Sequence, residues 1–361
     1  MRDNTRNQGR MMDAPVLAFR NKPPDNRNHR WGRLALVMIL SWGIVSPALG
    51  QSALDPNPDF NKGGRTAFQF LKIGLGARQA AMGEASIAVV EDVNAAFWNP
   101  ADISGIRNME ASFSYAKWLG DMNYVAGAVG LTRRGIGTFA LSVASLDYGD
   151  IVEAVASKPG DARTGDMFTG GDFMLGLTYS RMFTDRLSIG GTAKYLHESL
   201  WNYGAGTFAF DVGTMYDLGF KGLHVAMAFQ NFSGSVNWRD SLSDRVEGYD
   251  LPLVFRIGVS TALIGPDNAF INAGGGQHLV VSAEAINSND YSERLHLGAE
   301  YTIADLISFR GGYRMNYAEG NWSVGAGLHP HVAGVDMRVD YAYVHYQFLD
   351  APHRLTVSLA F

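Results

Sequence analysis

Asp55-Pro56-Asn57-Pro58-Asp59 sets three oxygen-bearing side chains at alternate positions, which is how a calcium-binding loop begins. Such a loop turns on Gly at its sixth position and closes with Glu at its twelfth. These places hold Phe60 and Thr66, so a proline-stiffened spacer is expected. His329 and His331 would share one face of a strand, as a pair of zinc ligands must, but Pro330 between them predicts a turn. Gly74-Leu75-Gly76 opens like a dinucleotide-binding loop, yet the third glycine and the strand-helix-strand frame are missing. No Gly-x-Ser-x-Gly elbow occurs, and a chain without cysteine has neither thiolate ligands nor thiol nucleophiles. These motifs leave catalysis, a metal and a cofactor without support in the sequence.

The remaining pattern is one of strands. From Met109 to the end, side chains alternate with period two. In the last strand Leu355, Val357, Leu359 and Phe361 point one way, and Arg354, Thr356, Ser358 and Ala360 the other. Val335, Met337, Val339, Tyr341 and Tyr343 likewise oppose Asp336, Arg338 and Asp340. Phe309 and Tyr313 oppose Ser308, Arg310 and Arg314, and Leu295 and Leu297 oppose His296 and Glu300. Charge therefore sits on one face only. A soluble sandwich also alternates. A transmembrane antiparallel β-barrel is expected instead, because hairpin-spaced strands run on without a helical interruption. Tyr and Trp (Trp118, Tyr148, Tyr179, Tyr195, Trp201, Tyr216, Tyr313, Tyr343) also stand near strand ends, as membrane-interface girdles do. A mean hydropathy of -0.06 agrees, since lipid-facing and lumen-facing residues average out. The 42 Gly and 20 Phe suit aromatic strands joined by glycine turns. About 14 strands are counted, beginning near residues 109, 122, 135, 171, 186, 205, 221, 252, 277, 291, 305, 321, 333 and 352. The longer polar connections, 147 to 170, 233 to 250 and 265 to 276, are expected at the outer face.

Ahead of the strands the chain divides in two. Residues 34 to 49 are apolar, follow Arg30 and Arg33, and end in Ala48-Leu49-Gly50, which places small residues at a cleavage site. The run is shorter than the roughly 20 residues needed to span a bilayer and contains Ser41, Gly43 and Pro47. A signal peptide over residues 1 to 50 is expected, with residues 1 to 29 reading as a mis-assigned start and the mature chain opening at Gln51. These 50 residues hold eight Lys/Arg against three Asp, so the remainder of a chain of net charge -5 is acidic, unlike a nucleic-acid binder. Residues 51 to 107 then form an Ala- and Gly-rich segment without alternation, thin enough to be a periplasmic segment or a plug (hatch) within the lumen of a barrel formed by residues 108 to 361. Within it, Asn99-Pro100-Ala101-Asp102 predicts a helix start with Asn99 as cap, and a second short helix is expected at Glu91 or Asp92.

Residues 70 to 104, FLKIGLGARQAAMGEASIAVVEDVNAAFWNPADIS, resemble the N-terminal signature of PorV/PorQ family outer-membrane proteins, relatives of the FadL-type transporters. The matching positions include Gly76, Arg78, Ala81-Met82-Gly83, Asp92 and Asn99-Pro100-Ala101. The family usually has Gly-Leu after Asn-Pro-Ala, where this chain has Asp102-Ile103, and paired Asp where this chain has Glu91-Asp92. These motif residues are expected to serve the plug structurally, with Arg78 and Asp92 tied to the barrel wall. Phe361 resembles the carboxy-terminal signal read by the barrel assembly machinery.

The resemblance implies a non-catalytic component of type IX protein secretion in the cell outer membrane. Such a barrel docks the C-terminal signal domains of secreted cargo, with membrane lipids, assembly machinery and other secretion-system proteins as partners. The alternative is a FadL-like transporter that passes hydrophobic small molecules into the barrel and out through a lateral gap. A continuous apolar path past residues 70 to 104 would favour transport, and a plugged lumen with exposed apolar loop tips would favour docking. Arg310, Arg314, Asp336, Arg338 and Asp340 on the inner faces weigh against a lipid path.

Overall fold

The computed structural model describes residues 64, 66–154, 163–240 and 246–361. The signal peptide over residues 1 to 50 and the Asp55–Asp59 spacer lie outside the described residues. Fourteen antiparallel strands form a closed barrel: β1 (Met109–Lys117), β2 (Asn123–Arg133), β3 (Gly137–Asp147), β4 (Gly170–Met182), β5 (Leu187–Leu200), β6 (Tyr203–Asp217), β7 (His224–Phe232), β8 (Val254–Gly265), β9 (His278–Ser288), β10 (Arg294–Ile303), β11 (Ile307–Met315), β12 (Trp322–Leu328), β13 (Val335–Val344) and β14 (His353–Ala360). Each pairs with its chain neighbour, and β14 closes onto β1 from Glu110–Ala360 to Lys117–His353. Ladder bonds thus satisfy the strand backbones around the ring, as hydrocarbon demands of any chain that crosses it, save along residues 205 to 209 of β6, which lack a partner strand on one side. The strand starts fall within three residues of those read from the sequence.

The alternation expected from the sequence is realised in space. Phe309, Leu355 and Tyr341 are exposed on the outside, whereas Arg310, Arg354 and Asp340 are buried inside. Leu297 lies mid-strand on the outside and Val332 lies in the turn between β12 and β13. Leu297→Arg is expected to cost about 2–4 kcal/mol and Val332→Arg about 0–1 kcal/mol, because the penalty falls from bilayer centre to interface. Folding yields in liposomes read the difference, and equal yields would overturn the facing.

Short turns and the C-terminus share one end of the barrel, the periplasmic end by the rule for such proteins, and the long loops share the other. Two of the three long connections stand at the loop end as expected, each carrying a hairpin: Ile151–Ala154 with Arg163–Phe168, and Val236–Asp240 with Val246–Tyr249. The connection over residues 265 to 276 does not. It is separated from the 233 to 250 connection by the single strand β8, and one strand crosses the membrane once, so the two must lie at opposite ends. At the turn end it folds back on β8 through Phe270 N–H to Ala262 O (3.1 Å) and Ala273 N–H to Gly265 O (2.9 Å). Lys221 Nζ of the β6–β7 turn clamps it at Ala269 O, 2.7 Å away.

Candidate functional site

Residues 66 to 107 fill the lumen as a chain of single turns: Gln69–Lys72, Ala77–Ala81, Val93–Phe97 and Pro100–Gly105. Both expected helix starts are present, as 3-10 turns. Asp92 caps Val93–Phe97 by accepting from Asn94 N–H (2.8 Å), and Asn99 caps Pro100–Gly105 by accepting from Ala101 N–H (3.2 Å). Asn99 Nδ2 also donates to Ile87 O, Thr214 O and Asp102 Oδ1, so one amide joins two hatch turns to β6. Burial, reinforced by the nearby Glu91 charge, holds the Asp102 carboxyl of the hatch well above the usual carboxylate range.

The hatch sits this close because the wall opposite it lacks side chains. A Cβ at Gly298 would stand 2.6 Å from Met82 O, at Gly258 2.8 Å from Ile87, and at Gly325 2.5 Å from Ala81. At Gly190 and Gly213 it would run into Pro100 and Asn99, and at Gly312 into the backbone of Gly83. Gly83 itself adopts φ +64°, and its N–H reaches Ser323 Oγ at 3.1 Å. Mid-strand glycines facing the lumen are therefore a seat for the hatch, a use that differs from the turn glycines expected from composition.

Below this seat the lumen carries a network of ion pairs. Arg78 makes two parallel 2.8 Å bonds to Glu300. Glu300 also accepts from Arg310, which reaches Asp340 at 2.7 Å. Asp92 lies 3.9 Å from Arg78 and 2.8 Å from Arg338. The expected motif residues Arg78 and Asp92 thus come together, each tied to the wall. The inner-face arginines and aspartate weighed against a lipid path serve instead to anchor the hatch, apart from Asp336, which is exposed and pairs with His331. Gly76 (φ +88°) caps the Ala77–Ala81 helix, Met82 is fully buried, and Pro100 and Ala101 open the last turn. Phe361 is half exposed at the turn end, 2.9 Å from Met109 O through its N–H.

Phe361 deletion removes one aromatic side chain, about 1.5–3 kcal/mol of burial at most, which a closed barrel should survive. The deleted chain is expected to fold in liposomes yet to fail to accumulate in outer membranes. Normal membrane levels would remove the assembly role assigned to this residue.

Towards the loop end the lumen changes character. Phe68, Phe70, Tyr124, Leu146, Met174 and Leu196 form one buried apolar cluster that reaches Ala205 on β6 and Val236 beyond β7. On one side it opens into a cleft of about 500 Å³ lined by Phe70, Ile73, Trp118, Met122, Leu146 and Tyr148. Trp118 and Tyr148, expected in the interface girdle, are here turned to the cleft, where Tyr148 Oη donates to Asp172 (2.8 Å). Asp172 was not legible as a site residue, although a carboxylate on the inner face near the start of β4 is its one sequence signal. On the other side the wall is notched. β6 pairs with β7 through Phe210–Asp217 and with the Val236–Asp240 strand at Tyr203 and Gly204, and beside that short pairing lies a recess lined by Gly204, Ala205, Gly206, Ser235 and Asn237.

No protein-family profile matches the chain, and no curated protein matches it in sequence. Solved structures do match its fold. The toluene transporter TodX of Pseudomonas putida superposes with TM-score 0.54 at 11% identity, covering 79% of this chain and 97% of its own. The toluene transporter TbuX of Ralstonia pickettii gives 0.52 at 12% over 79% and 97%, and the monoaromatic hydrocarbon channel CymD gives 0.51 at 13% over 82% and 99%. The fold is that of these outer-membrane barrels.

Proposed function

We propose that this chain is an outer-membrane channel for apolar small molecules, which enter at the loop-end cleft and leave sideways through the notch beside β6. The observation that carries the reading is the apolar cluster of Phe68, Phe70, Leu146, Met174 and Leu196, which links the cleft to Ala205 on the lining of the notch. The lower lumen supports the same direction of travel. Beneath the cleft a void of only about 30 Å³ reaches Trp98 and Arg256, and below it lie the hatch and its ion pairs, a polar and narrow surrounding for an apolar solute among the described residues. The described hydrocarbon channels share the fold, which agrees with the proposal. No catalytic step is assigned.

Antiparallel register extended from Gly204–Arg239 sets Gly206 opposite Asn237. In a chain without cysteine, Gly206→Cys with Asn237→Cys introduces one disulfide across the notch. Cells that depend on this chain for an uncharged aromatic hydrocarbon are expected to lose most uptake when the pair is oxidised and to regain it on reduction. Unchanged uptake would rule out the lateral route, and no uptake by the unmodified chain would rule out transport.

A secretion role is the second reading, favoured by the residue 70 to 104 signature and by Phe348 and Leu349, exposed at the tip of the β13–β14 loop. The signature residues are engaged in seating the hatch, which either function needs. Loss of surface delivery of cargo bearing the C-terminal signal domain in a strain lacking this chain would favour docking over transport.

A further inference from the structure

Most buried acids of the lumen are balanced by a cation; Asp102, enclosed within the hatch and bonded to Asn99, is not, and neither is a pair on the wall. Glu84, Asp211, Glu284, Asp290, Glu300 and Asp340 each have an Arg or Lys within 3.1 Å. Among the described residues Asp172 and Glu198 have no such cation. They are register partners on β4 and β5, side by side on the inner face. Each is half satisfied: Asp172 Oδ2 accepts from Tyr148 Oη at 2.8 Å, and Glu198 Oε2 accepts from Phe68 N–H at 2.5 Å. Asp172 is 3% exposed, its Oδ1 has no partner, and the residue lines the apolar cleft.

An unpartnered carboxylate oxygen in an apolar cleft is costly to leave open, the more so for a charged group. A folded wall could have avoided the cost with an arginine, as it does elsewhere. Around Asp172 stand Trp118, Tyr148 and Phe70, whose ring faces attract a cation. Arg354 does not fill the role, since it lies over the Trp118 ring and against Glu84 and is not part of the lining.

We infer that the cleft selects apolar molecules whose polar end is a hydrogen-bond donor, organic ammonium ions above all, with the donor on Asp172 Oδ1 and the body against Phe70, Ile73 and Trp118. The inference rests on the transport reading for its purpose, but the binding step stands by itself. A neutral hydroxyl offers the same donor with less charge. A carboxylate would face two acids and a hydrocarbon would leave Oδ1 unpaired, so both should bind less well than their donor-bearing counterparts.

The test is calorimetric titration of the refolded barrel with 2-phenylethylammonium, 2-phenylethanol, ethylbenzene and 3-phenylpropionate, which keep one aromatic body and change its polar end. Affinity is expected to fall in that order, with the ammonium ion roughly ten- to a hundredfold above the hydrocarbon. Asp172→Asn is expected to remove most of that preference, and Glu198→Gln to weaken the ammonium ion alone. The ligand series on the unmodified chain keeps the inference testable if a variant fails to fold. Equal or reversed ranking of ammonium ion and hydrocarbon would overturn the inference and leave transport standing. Binding in the expected order without uptake of any of the four by cells would overturn transport and leave the site standing.

Discussion

Replacing Glu300 by Gln is expected to destabilise the barrel by about 3–5 kcal/mol, because it keeps the shape of the side chain and removes the charge that holds Arg78 and Arg310 together. Arg310 has no solvent contact and Arg78 little, so neither guanidinium exchanges the lost partner for water. Asp340 still holds Arg310 at 2.7 Å, whereas Asp92 is 3.9 Å from Arg78 and serves Arg338, so Arg78 is the cation left without a close partner. The denaturation midpoint in liposomes should drop accordingly, and Arg78→Met in the Glu300→Gln background should recover part of the loss by removing the stranded cation. A loss below about 1 kcal/mol would mean that water reaches the pairs, as it does for surface bridges.

Gly312→Val should do comparable damage by a different route, and its neighbour supplies the control. A Cβ at Gly312 meets the backbone of Gly83, which no rotamer change can relieve, whereas a Cβ at Gly311 on the opposite face meets nothing within 4 Å. Overpacking typically costs about 1–3 kcal/mol, and contact with backbone places this substitution at or above the upper end. Gly312→Val is therefore expected to expel the 82–83 turn from its seat and expose the hatch to protease from the turn end, while Gly311→Val folds with unchanged yield. Equal protection of residues 66 to 107 in both variants would show that the hatch does not depend on the glycine seat.

The wall was legible in the sequence because its signal is local. Phe309-Arg310 or Leu355-Thr356 declares two faces to any reader of adjacent residues, and the cap at Asn99-Pro100 is equally local. What escaped notice depends on residues far apart. Arg78 announces a charge but not that its partner is Glu300, 222 positions away. Gly312 looks like a turn or flexible glycine until Gly83 is placed against it. Trp118 and Tyr148 share the strand-end position of girdle aromatics, and only the curvature of the loop end decides that they face the cleft. The misplaced 265 to 276 connection is a different failure, since the strand count already required it to lie opposite the 233 to 250 loop.

The bonds between hatch and wall also govern the order in which the molecule can be made. Ala77 N–H is held by Thr356, 279 residues later, Gly83 by Ser323, 240 later, and Ser86 by Glu284, 198 later. The hatch is translated first, yet these partners emerge late, so the stretch from Ala77 to Ser86 cannot be seated until β9 to β14 are available. Contacts of such sequence separation make closure slow. For all that time a short apolar segment and a row of open strand edges must be kept from pairing with other chains. Ring closure at the β1–β14 seam is then the step that traps the hatch inside.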